Sequence, residues 1–447
     1  MFTTKRRNLL ATIGAFALIF GAAPASAQPL EEKLVIVTSF SRDVTGPFVA
    51  AFQKLHPGTK VEIQSRSTTA GVSFIRETRS NPPDMFWASA PDAFEVLKKG
   101  SLLQKYKPSA TGIAERVGPS PVNDPEGFYF GFAASGYGIM YNTRYVRANS
   151  LPIPKEWDDL KKPEFFGHVG ISAPSRSGTT HLTVETILQG EGWDKGWASL
   201  LEIGGNFASV SDRSFGVPDA VNSGQYGVGI VIDFFGLSAK ASGFPVEFVY
   251  PSVTTIVPAN IGIVAGAKNG NAAKAFVEFL LSDEGQTLLL DPKIQRLPVR
   301  LSVYDKAPAG YPNPFKNASL GSRVNFNNDV SEVRYELLNS LFDRLITFRL
   351  KELTEAWKSI HAATAAVSKS RSAEGQKLLA NARKLASSAP ITEAQAKDPQ
   401  IAGSFQEKRP DKPVAARQAE FEEQWDAFAR RNYAEAKSLA EQAARAR

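Results

Sequence analysis

The chain has 447 residues, of which 43% are hydrophobic and 22% are charged, a composition typical of a soluble globular protein large enough for two domains. The formal net charge of +7 falls to +4 without Lys5, Arg6 and Arg7, which lie in a predicted leader, so the small surplus does not favour nucleic acid as a partner. Cysteine is absent, which excludes a disulfide framework and a lipid-modified N-terminal cysteine.

Residues 1–27 are predicted to be a secretory signal peptide. A basic start at Lys5-Arg6-Arg7 precedes an apolar stretch over residues 9–23 and the small-residue pattern Ala25-Ser26-Ala27. This order is typical of a leader that is cleaved after Ala27, and the alternative is an uncleaved anchor. We therefore expect export to the periplasm.

From Lys33 onward, short apolar runs alternate with amphipathic stretches. Such alternation predicts an α/β fold with a mainly parallel sheet that is covered on both faces. In the first half of the chain, we predict strands at 34–37, 61–63 and 85–88, and helices at 45–55, at about 70–79 and from Pro91.

A second unit of the same kind begins near Gly138. We predict strands at 169–171 and 227–232, the latter ending at Asp233, and helices at 179–188 and 272–281.

Beyond Asn328 the sequence becomes helical. Apolar residues recur at helical spacing and predict one long amphipathic helix that includes Leu338, Leu341, Leu345, Leu353, Trp357 and Ile360. Residues 365–447 are rich in Ala, Lys, Arg, Glu and Gln, with an apolar stripe at Phe421, Trp425 and Phe428. This composition predicts a helical extension packed on the body and dispensable for ligand binding; the alternative is an arm that binds a partner.

Four loops that follow predicted strands combine hydroxyl or acidic side chains with arginine. They are Ser39–Arg42, Arg66–Thr69, Ser175–Thr180 and Ser211–Ser214. Loops at the carboxyl ends of parallel strands meet at one crevice, and helix starts there offer free N–H groups to an anion. Arginine adds a two-pronged donor for carboxylate or phosphate, so the loops together predict an anion site. Any one of these Ser or Thr residues can instead serve only as a helix cap.

Enzyme motifs are weak in this sequence. The four histidines have no metal-ligand spacing, and neither a Walker loop nor a nucleophile elbow occurs. Ser177 and His181 lie four residues apart, so a nucleophile–base pair is conceivable, but Ser177 is better explained as a helix cap. We predict no catalytic residue and no cofactor, and we keep a phosphate-ester hydrolase as an alternative.

Several motifs resemble the bacterial extracellular solute-binding proteins of the ferric-ion-binding-like group. The resemblance covers residues 33 to about 300 and rests on the segments 34–41, 56–58, 83–88, 137–142, 157–160 and 275–286. It implies a two-lobed periplasmic binding protein fold (type II) that closes on its ligand, with crossing strands near 130–138 and 257–263. The implied divisions are lobe 1 at 31–133 and 259–311, lobe 2 at 134–258 and 312–364, and a C-terminal helical extension at 365–447.

The resemblance also implies a ligand class. Iron binders of the group hold the metal with adjacent tyrosines, whereas the matching place here contains Asp233, Phe234 and Phe235. The run Ser175–His181, together with Asp233–Phe235, is similar to the matching segments of the branch whose members bind phosphoglycerate, hexose phosphates or aminoethylphosphonate. We therefore expect no metal and a small anionic, phosphorylated solute, with ferric iron as the alternative. Asp233 either accepts a hydroxyl or ammonium group of the ligand or orients Arg176 or Arg213.

The resemblance further implies delivery to an inner-membrane ABC permease or a sensor kinase complex, and we expect a monomer. The predicted ligand-binding residues are Ser39, Ser41, Arg42, Arg66, Thr68, Thr69, Ser89, Arg176, Ser177, Gly178, Thr179, Thr180, His181, Arg213, Ser214 and Asp233.

Overall fold

The computed structural model describes residues 1–2, 30–317, 320–321, 323–405 and 416–446. The predicted signal peptide lies almost entirely outside these ranges. The strands are β1 (Lys33–Thr38), β2 (Lys60–Ser65), β3 (Met85–Ala88), β4 (Arg116–Val117), β5 (Ser120–Pro121), β6 (Phe130–Asn142), β7 (Val169–Ser172), β8 (Phe207–Ser211), β9 (Val228–Ile232), β10 (Val246–Val249), β11 (Ile256–Ile263) and β12 (Leu297–Pro298).

Helices follow most of these strands. They are α1 (Arg42–Leu55), α2 (Thr68–Glu77), α3 (Pro91–Lys99), α4 (Thr143–Ala148), α5 (Gly178–Glu191), α6 (Trp193–Gly204), α7 (Gly216–Ser223), α8 (Asp233–Ala241), α9 (Gly270–Leu281), α10 (Asp283–Leu288), α11 (Asn328–Val333), α12 (Tyr335–Phe342), α13 (Leu350–Ser370), α14 (Ala373–Ala386), α15 (Glu393–Lys397), α16 (Pro399–Ala402) and α17 (Ala416–Arg445). None of the helices in the described ranges is both long and apolar enough to cross a bilayer.

One mixed sheet connects both halves of the molecule. Its strand order is β2-β1-β3-β11-β6-β9-β7-β8, and β10 and β12 also pair with β6. β1 is parallel to β2 and β3, and β7 is parallel to β8 and β9. The sheet therefore has two parallel βα regions, one on each side of β6.

The strand β6 crosses from one lobe to the other. Its first half pairs antiparallel with β11 up to Gly136, and its second half pairs with β9 from Tyr137 onward. All thirteen residues of β6 are buried. The change of partner between Gly136 and Tyr137 marks the hinge region, and the two-lobed α/β fold predicted from the sequence is confirmed.

Each lobe has its own apolar core. In lobe 1 the fully buried Trp87 of β3 lies among aromatic rings at centroid distances of 5.3 to 5.6 Å, from Phe40, Phe48, Phe132 and Phe276. The lobe 2 core contains Trp157 and Trp197. Full burial of one such side chain contributes about 1.5–3 kcal/mol to the free energy of unfolding.

The prediction of one long helix beyond Asn328 is wrong. α12 and α13 are separated by a π-helical turn over Asp343–Thr347, in which the Phe348 amide donates to the Asp343 carbonyl at 2.9 Å. This wide turn inserts a residue and shifts the apolar face. The six apolar residues that suggested the helix are nevertheless buried in the lobe 2 core.

The C-terminal helices share the lobe 2 core. Trp425 and Tyr433 of α17 are buried in the same cluster as Trp357 of α13. The Tyr433 hydroxyl donates to the Leu345 carbonyl at 2.8 Å. The predicted limit at residue 364 also falls inside α13, so residues 365–447 complete this lobe and are not merely attached to its surface.

Candidate functional site

A cleft lies where the carboxyl ends of the parallel strands from both lobes meet. It is bounded by the loops after β1, β2 and β3 on one side and by those after β7, β8 and β9 on the other. The residues that line it are Ser39, Phe40, Ser41, Ser67, Thr68, Ser89, Arg176, Ser177, Thr179, Arg213, Ser214, Phe215, Phe234 and Phe235.

Of the helices that begin at this cleft, α1, α2 and α5 each follow a serine. Ser67 accepts a hydrogen bond from the Ala70 amide at 3.2 Å, and Ser177 accepts one from the Thr180 amide at 3.2 Å, so both serve as caps. Ser41 precedes α1, and its side chain makes no capping bond. The starts of α1, α2 and α5 bring unpaired N–H groups and partial positive charge to one place, which favours an anion.

The two cleft arginines belong to lobe 2. The Arg176 side chain is 57% exposed and forms a 3.0 Å ion pair with the exposed Asp212. The Arg213 guanidinium lies 5.1 Å from the centre of the Phe215 ring. An exposed pair of this kind contributes little stability, so Arg176 can exchange Asp212 for another anion at low cost.

The lobes touch across the cleft. The Thr69 hydroxyl donates to the Ser175 carbonyl of the opposite lobe at 2.8 Å. A Cβ placed on Gly178 would lie 2.8 Å from the Ala90 Cβ and 2.9 Å from Thr68 side-chain atoms. The described conformation is therefore closed, and Gly178 permits the close approach.

The remaining polar loop residues lie beside the cleft. Arg42 lines an adjoining groove that opens between α1 and α8. The Arg66 guanidinium lies 3.9 Å from the centre of the Phe74 ring. Thr180 is buried and hydrogen-bonds to Ser172 and Ser177. Of the sixteen predicted residues, the cleft is lined by Ser39, Ser41, Thr68, Ser89, Arg176, Ser177, Thr179, Arg213 and Ser214.

His181 lies behind the cleft in a buried network. Its Nδ1 is 2.8 Å from Asn339 Oδ1, and its Nε2 is 3.0 Å from Ser331 Oγ and 3.2 Å from Asp92 Oδ2. Burial alone would lower the pKa of His181, but the neighbouring Asp92 raises it overall. The ring thus joins α5 to the opposite lobe and does not line the cleft. Because Ser177 and His181 bond to other groups, they form no nucleophile–base pair here.

Asp233 is buried at the hinge. Its carboxylate accepts hydrogen bonds from the Gly136 amide at 2.7 Å, the Phe234 amide at 2.7 Å and the Tyr250 hydroxyl at 2.9 Å. Burial raises the pKa of Asp233 to about 6 despite these donors. Among the described residues the carboxylate bonds to the hinge strand, to Phe234 and to Tyr250, and it does not contact Arg176 or Arg213. That it accepts a hydroxyl or ammonium group of the ligand stays a prediction.

The cleft also contains residues that the sequence did not predict. Phe40, Phe215, Phe234 and Phe235 supply apolar walls, and Ser67 supplies a further hydroxyl. Ser67 lies inside one of the four predicted loops, so that motif could have identified it. The buried Arg296, which touches Phe40 and Phe234, follows no strand-end pattern and carried no such signal.

The donor set of the cleft does not suit a hard cation. Its lining contains eight hydroxyl side chains and two arginines, but no carboxylate, imidazole or phenol. Throughout the described ranges, no three His, Asp or Glu side chains are grouped so that they could hold a metal ion. Ferric iron requires several anionic oxygen donors, which these lining residues do not supply.

Comparison with known proteins adds a family match. Residues 80–319 match the family model described as bacterial extracellular solute-binding protein. The phosphoglycerate transport regulatory protein of Salmonella typhimurium is 30% identical over 86% of this chain and 92% of its own. The Fe(3+)-binding periplasmic protein of Serratia marcescens is 23% identical over 61% of this chain and 79% of its own.

A solved structure shares the fold. The periplasmic binding protein AfuA of Actinobacillus pleuropneumoniae, determined with fructose-6-phosphate bound, superposes with a TM-score of 0.61 at 21% identity. The match covers 70% of this chain and 98% of the other.

Proposed function

Because the chain belongs to the bacterial extracellular solute-binding protein family, we propose that it captures a small phosphorylated organic solute in the periplasm. The bound solute would be presented to an inner-membrane ABC permease or to a sensor kinase complex. Closure of the two lobes on the ligand is the recognition step, and no chemical conversion follows.

The observation that carries this proposal is the chemistry of the cleft lining. Eight hydroxyls, two arginines and the starts of α1, α2 and α5 all offer hydrogen-bond donors or positive charge, and no acidic side chain is among the residues that line the cleft. A phosphoryl group has several oxygens that accept hydrogen bonds in different directions, which matches donors arriving from both lobes.

The free energies of the expected hydrogen bonds are sufficient for micromolar binding. Each hydrogen bond to a charged group contributes about 1.5–3 kcal/mol. Four such bonds would support micromolar affinity, about −8 kcal/mol, after the cost of association. The four phenylalanines would pack against the organic part of the solute.

Ferric iron remains the second candidate because an Fe(3+)-binding periplasmic protein is among the relatives. The positive charge of Arg176 and Arg213 favours an anion over a cation. A phosphate-ester hydrolase is disfavoured because the hydrogen bonds of Ser177 and His181 lead away from each other.

Thermal unfolding with added ligands tests the ligand class. We expect the melting temperature to rise with millimolar phosphoglycerate, fructose 6-phosphate or 2-aminoethylphosphonate and to stay constant with iron citrate. A ligand at one hundred times its dissociation constant adds about 2.7 kcal/mol to the free energy of unfolding. A shift with iron citrate and none with any phosphorylated solute would overturn the proposal.

Alanine substitution of the cleft arginines tests the site. We expect Arg176→Ala and Arg213→Ala each to weaken binding of the solute that gives the largest shift by about tenfold or more, as loss of one charge-assisted bond implies. Arg147→Ala, which removes an exposed arginine of α4 in the same lobe, is the matched control and should leave calorimetric affinity unchanged. Wild-type affinity in both cleft variants would remove lobe 2 from the proposed site.

A further inference from the structure

The cleft has a buried cation directly behind its lining. Arg296 is fully buried just before β12, and its guanidinium carbon lies 4.5 Å from the centre of the Phe40 ring and 3.9 Å from that of Phe234. These two rings line opposite sides of the cleft. The guanidinium is thus held between the lobes by two aromatic faces, which attract a cation.

The guanidinium donates to two serines. Nη2 donates to Ser89 Oγ at 2.9 Å, and Nη1 lies 3.4 Å from Ser135 Oγ. The Nε of Arg296 is buried and has no hydrogen-bond partner among the described residues. Of the two serines, only Ser89 lines the cleft.

Within the part of the chain that the structure describes, no carboxylate forms an ion pair with Arg296. The carboxylate that acts on it through space is Asp233, whose oxygens accept hydrogen bonds from Gly136, Phe234 and Tyr250. Burial lowers the pKa of Arg296 to about 10, so the guanidinium stays protonated at neutral pH. The charge behind the cleft is therefore only partly balanced by the protein, and an anion in the cleft would complete the balance.

The orientation of Ser89 follows from this contact. A guanidinium can only donate, so the Ser89 oxygen must accept from Arg296 and its own hydrogen must point elsewhere. Ser89 forms no other hydrogen bond within the described part of the chain, and its side chain borders the cleft. We propose that Arg296 is a positioning residue that fixes Ser89 as a hydrogen-bond donor to the anionic group of the solute.

This inference rests on the proposed function and assigns lobe 1 a specific contribution to it. Lobe 2 supplies Arg176 and Arg213 at the accessible side of the cleft. Lobe 1 supplies Ser89, polarised by a cation that never reaches the ligand itself. Hydrogen bonds in such a chain strengthen one another, so Ser89 should contribute more than an ordinary serine.

A matched pair of serine variants tests the proposal. Ser89→Ala and Ser135→Ala each remove one acceptor of Arg296, but only the first removes a cleft hydroxyl. With phosphoglycerate and fructose 6-phosphate as probes in calorimetry, we expect Ser89→Ala to weaken binding at least about tenfold. Ser135→Ala should change the dissociation constant less than about twofold. Without ligand, both variants should have melting temperatures lowered by similar amounts.

A double-mutant cycle separates positioning from general stability. If Arg296 acts through Ser89, Arg296→Lys should weaken binding in the wild-type background and change it little in the Ser89→Ala background. Equal losses in both backgrounds would overturn the proposal, as would equal affinities of Ser89→Ala and Ser135→Ala. If Arg296→Lys does not fold, the serine pair alone decides. Failure of the wild-type protein to bind phosphoglycerate, fructose 6-phosphate or any other phosphorylated solute would instead refute the proposed function, and this inference with it.

Discussion

Among single residues, two fully buried charged side chains, Arg296 and Asp233, lie beside the cleft and the hinge. Asp233, the first residue of α8, bonds to Gly136, where β6 changes its pairing strand. It also bonds to the Phe234 amide, and Phe234 lines the cleft. A carboxylate in this position links the cleft wall to the hinge backbone through hydrogen bonds. Its protonation therefore bears on the stability of both lobes.

The raised pKa of Asp233 gives a pH dependence with a definite sign. Between about pH 4 and about pH 6, the folded protein keeps a proton that the unfolded chain has released, because the pKa is about 6 when folded and about 3.9 when unfolded. The free energy of unfolding should therefore fall as pH rises through this window. Asp233→Asn cannot titrate, so we expect the wild-type protein to lose stability relative to this variant between these two pH values.

Urea unfolding of both proteins at intervals across the same range measures this difference. We expect the stability of the wild-type protein minus that of the variant to fall between about pH 4 and about pH 6 and to be constant above about pH 6. Curves that stay parallel throughout would mean that Asp233 titrates normally in the folded protein.

At the scale of elements, the first turn of α5 determines how closely the lobes approach. Gly178 opens this helix with no side chain, against Thr68 at the start of α2 and Ala90 before α3. Ser175, two residues before the cap Ser177, accepts the hydrogen bond from Thr69 across the cleft. The closed form thus depends on close packing of the start of α5 against the start of α2.

Gly178→Ala should hinder closure. A methyl group there would lie 2.8 Å from the Ala90 Cβ, closer than van der Waals contact allows. We expect weaker solute binding by calorimetry, with the melting temperature of the ligand-free protein unchanged or slightly raised, because alanine favours helix over glycine. Gly270→Ala at the start of α9, where a Cβ meets nothing within 4 Å, is the control. Wild-type affinity of Gly178→Ala would show that the lobes do not need this contact.

The sequence predicts most helices and strands, because the residues that indicate each of them are neighbours in the chain. The apolar run 85–88 coincides with β3, and Pro91 starts α3, a position where its missing N–H costs no hydrogen bond. The sequence pattern predicts the starts of α1 and α2 two or three residues late, since hydroxyl-rich loops and first helical turns have similar sequences.

The buried polar contacts could not be predicted in this way. His181 bonds to Ser331 and Asn339, which are at least 150 residues away in the chain. Arg296 reaches Ser89 over a separation of 207 residues. Periodicity shows which face of an element is apolar, but it does not show which distant polar group satisfies a buried one.

At the scale of the whole molecule, lobe 2 is the larger lobe because the C-terminal helices enlarge its core. The Trp425 ring stacks on that of Phe405 at 5.2 Å, and Arg349 forms a 2.7 Å ion pair with Asp426. The composition of residues 365–447 predicts an extension that is dispensable for ligand binding. Because these residues share the lobe 2 core, we expect their removal to destabilise that lobe. Removing these residues would expose the inner face of α13, including Trp357 and Ile360.

Trp425→Ala should destabilise lobe 2 without changing the site. Truncation of a buried tryptophan costs about 3–5 kcal/mol. We expect a loss of this size in urea unfolding, and unchanged solute affinity for the folded protein. Phe428→Ala, which alters a partly buried residue of the same helix, should cost less. A chain ending at Thr364 that remains soluble with wild-type melting would contradict the shared core.

The thirteen buried residues of β6 have a consequence for hydrogen exchange. Their amides pair with β11 and β12 on one side of the hinge and with β9 and β10 on the other. We expect opening and closing of the cleft to bend this strand without freeing it, so its amides should exchange with deuterium only when the whole protein unfolds. The strand that allows the lobes to move is then also the slowest part of the molecule to exchange, and it makes two lobes unfold as one cooperative unit.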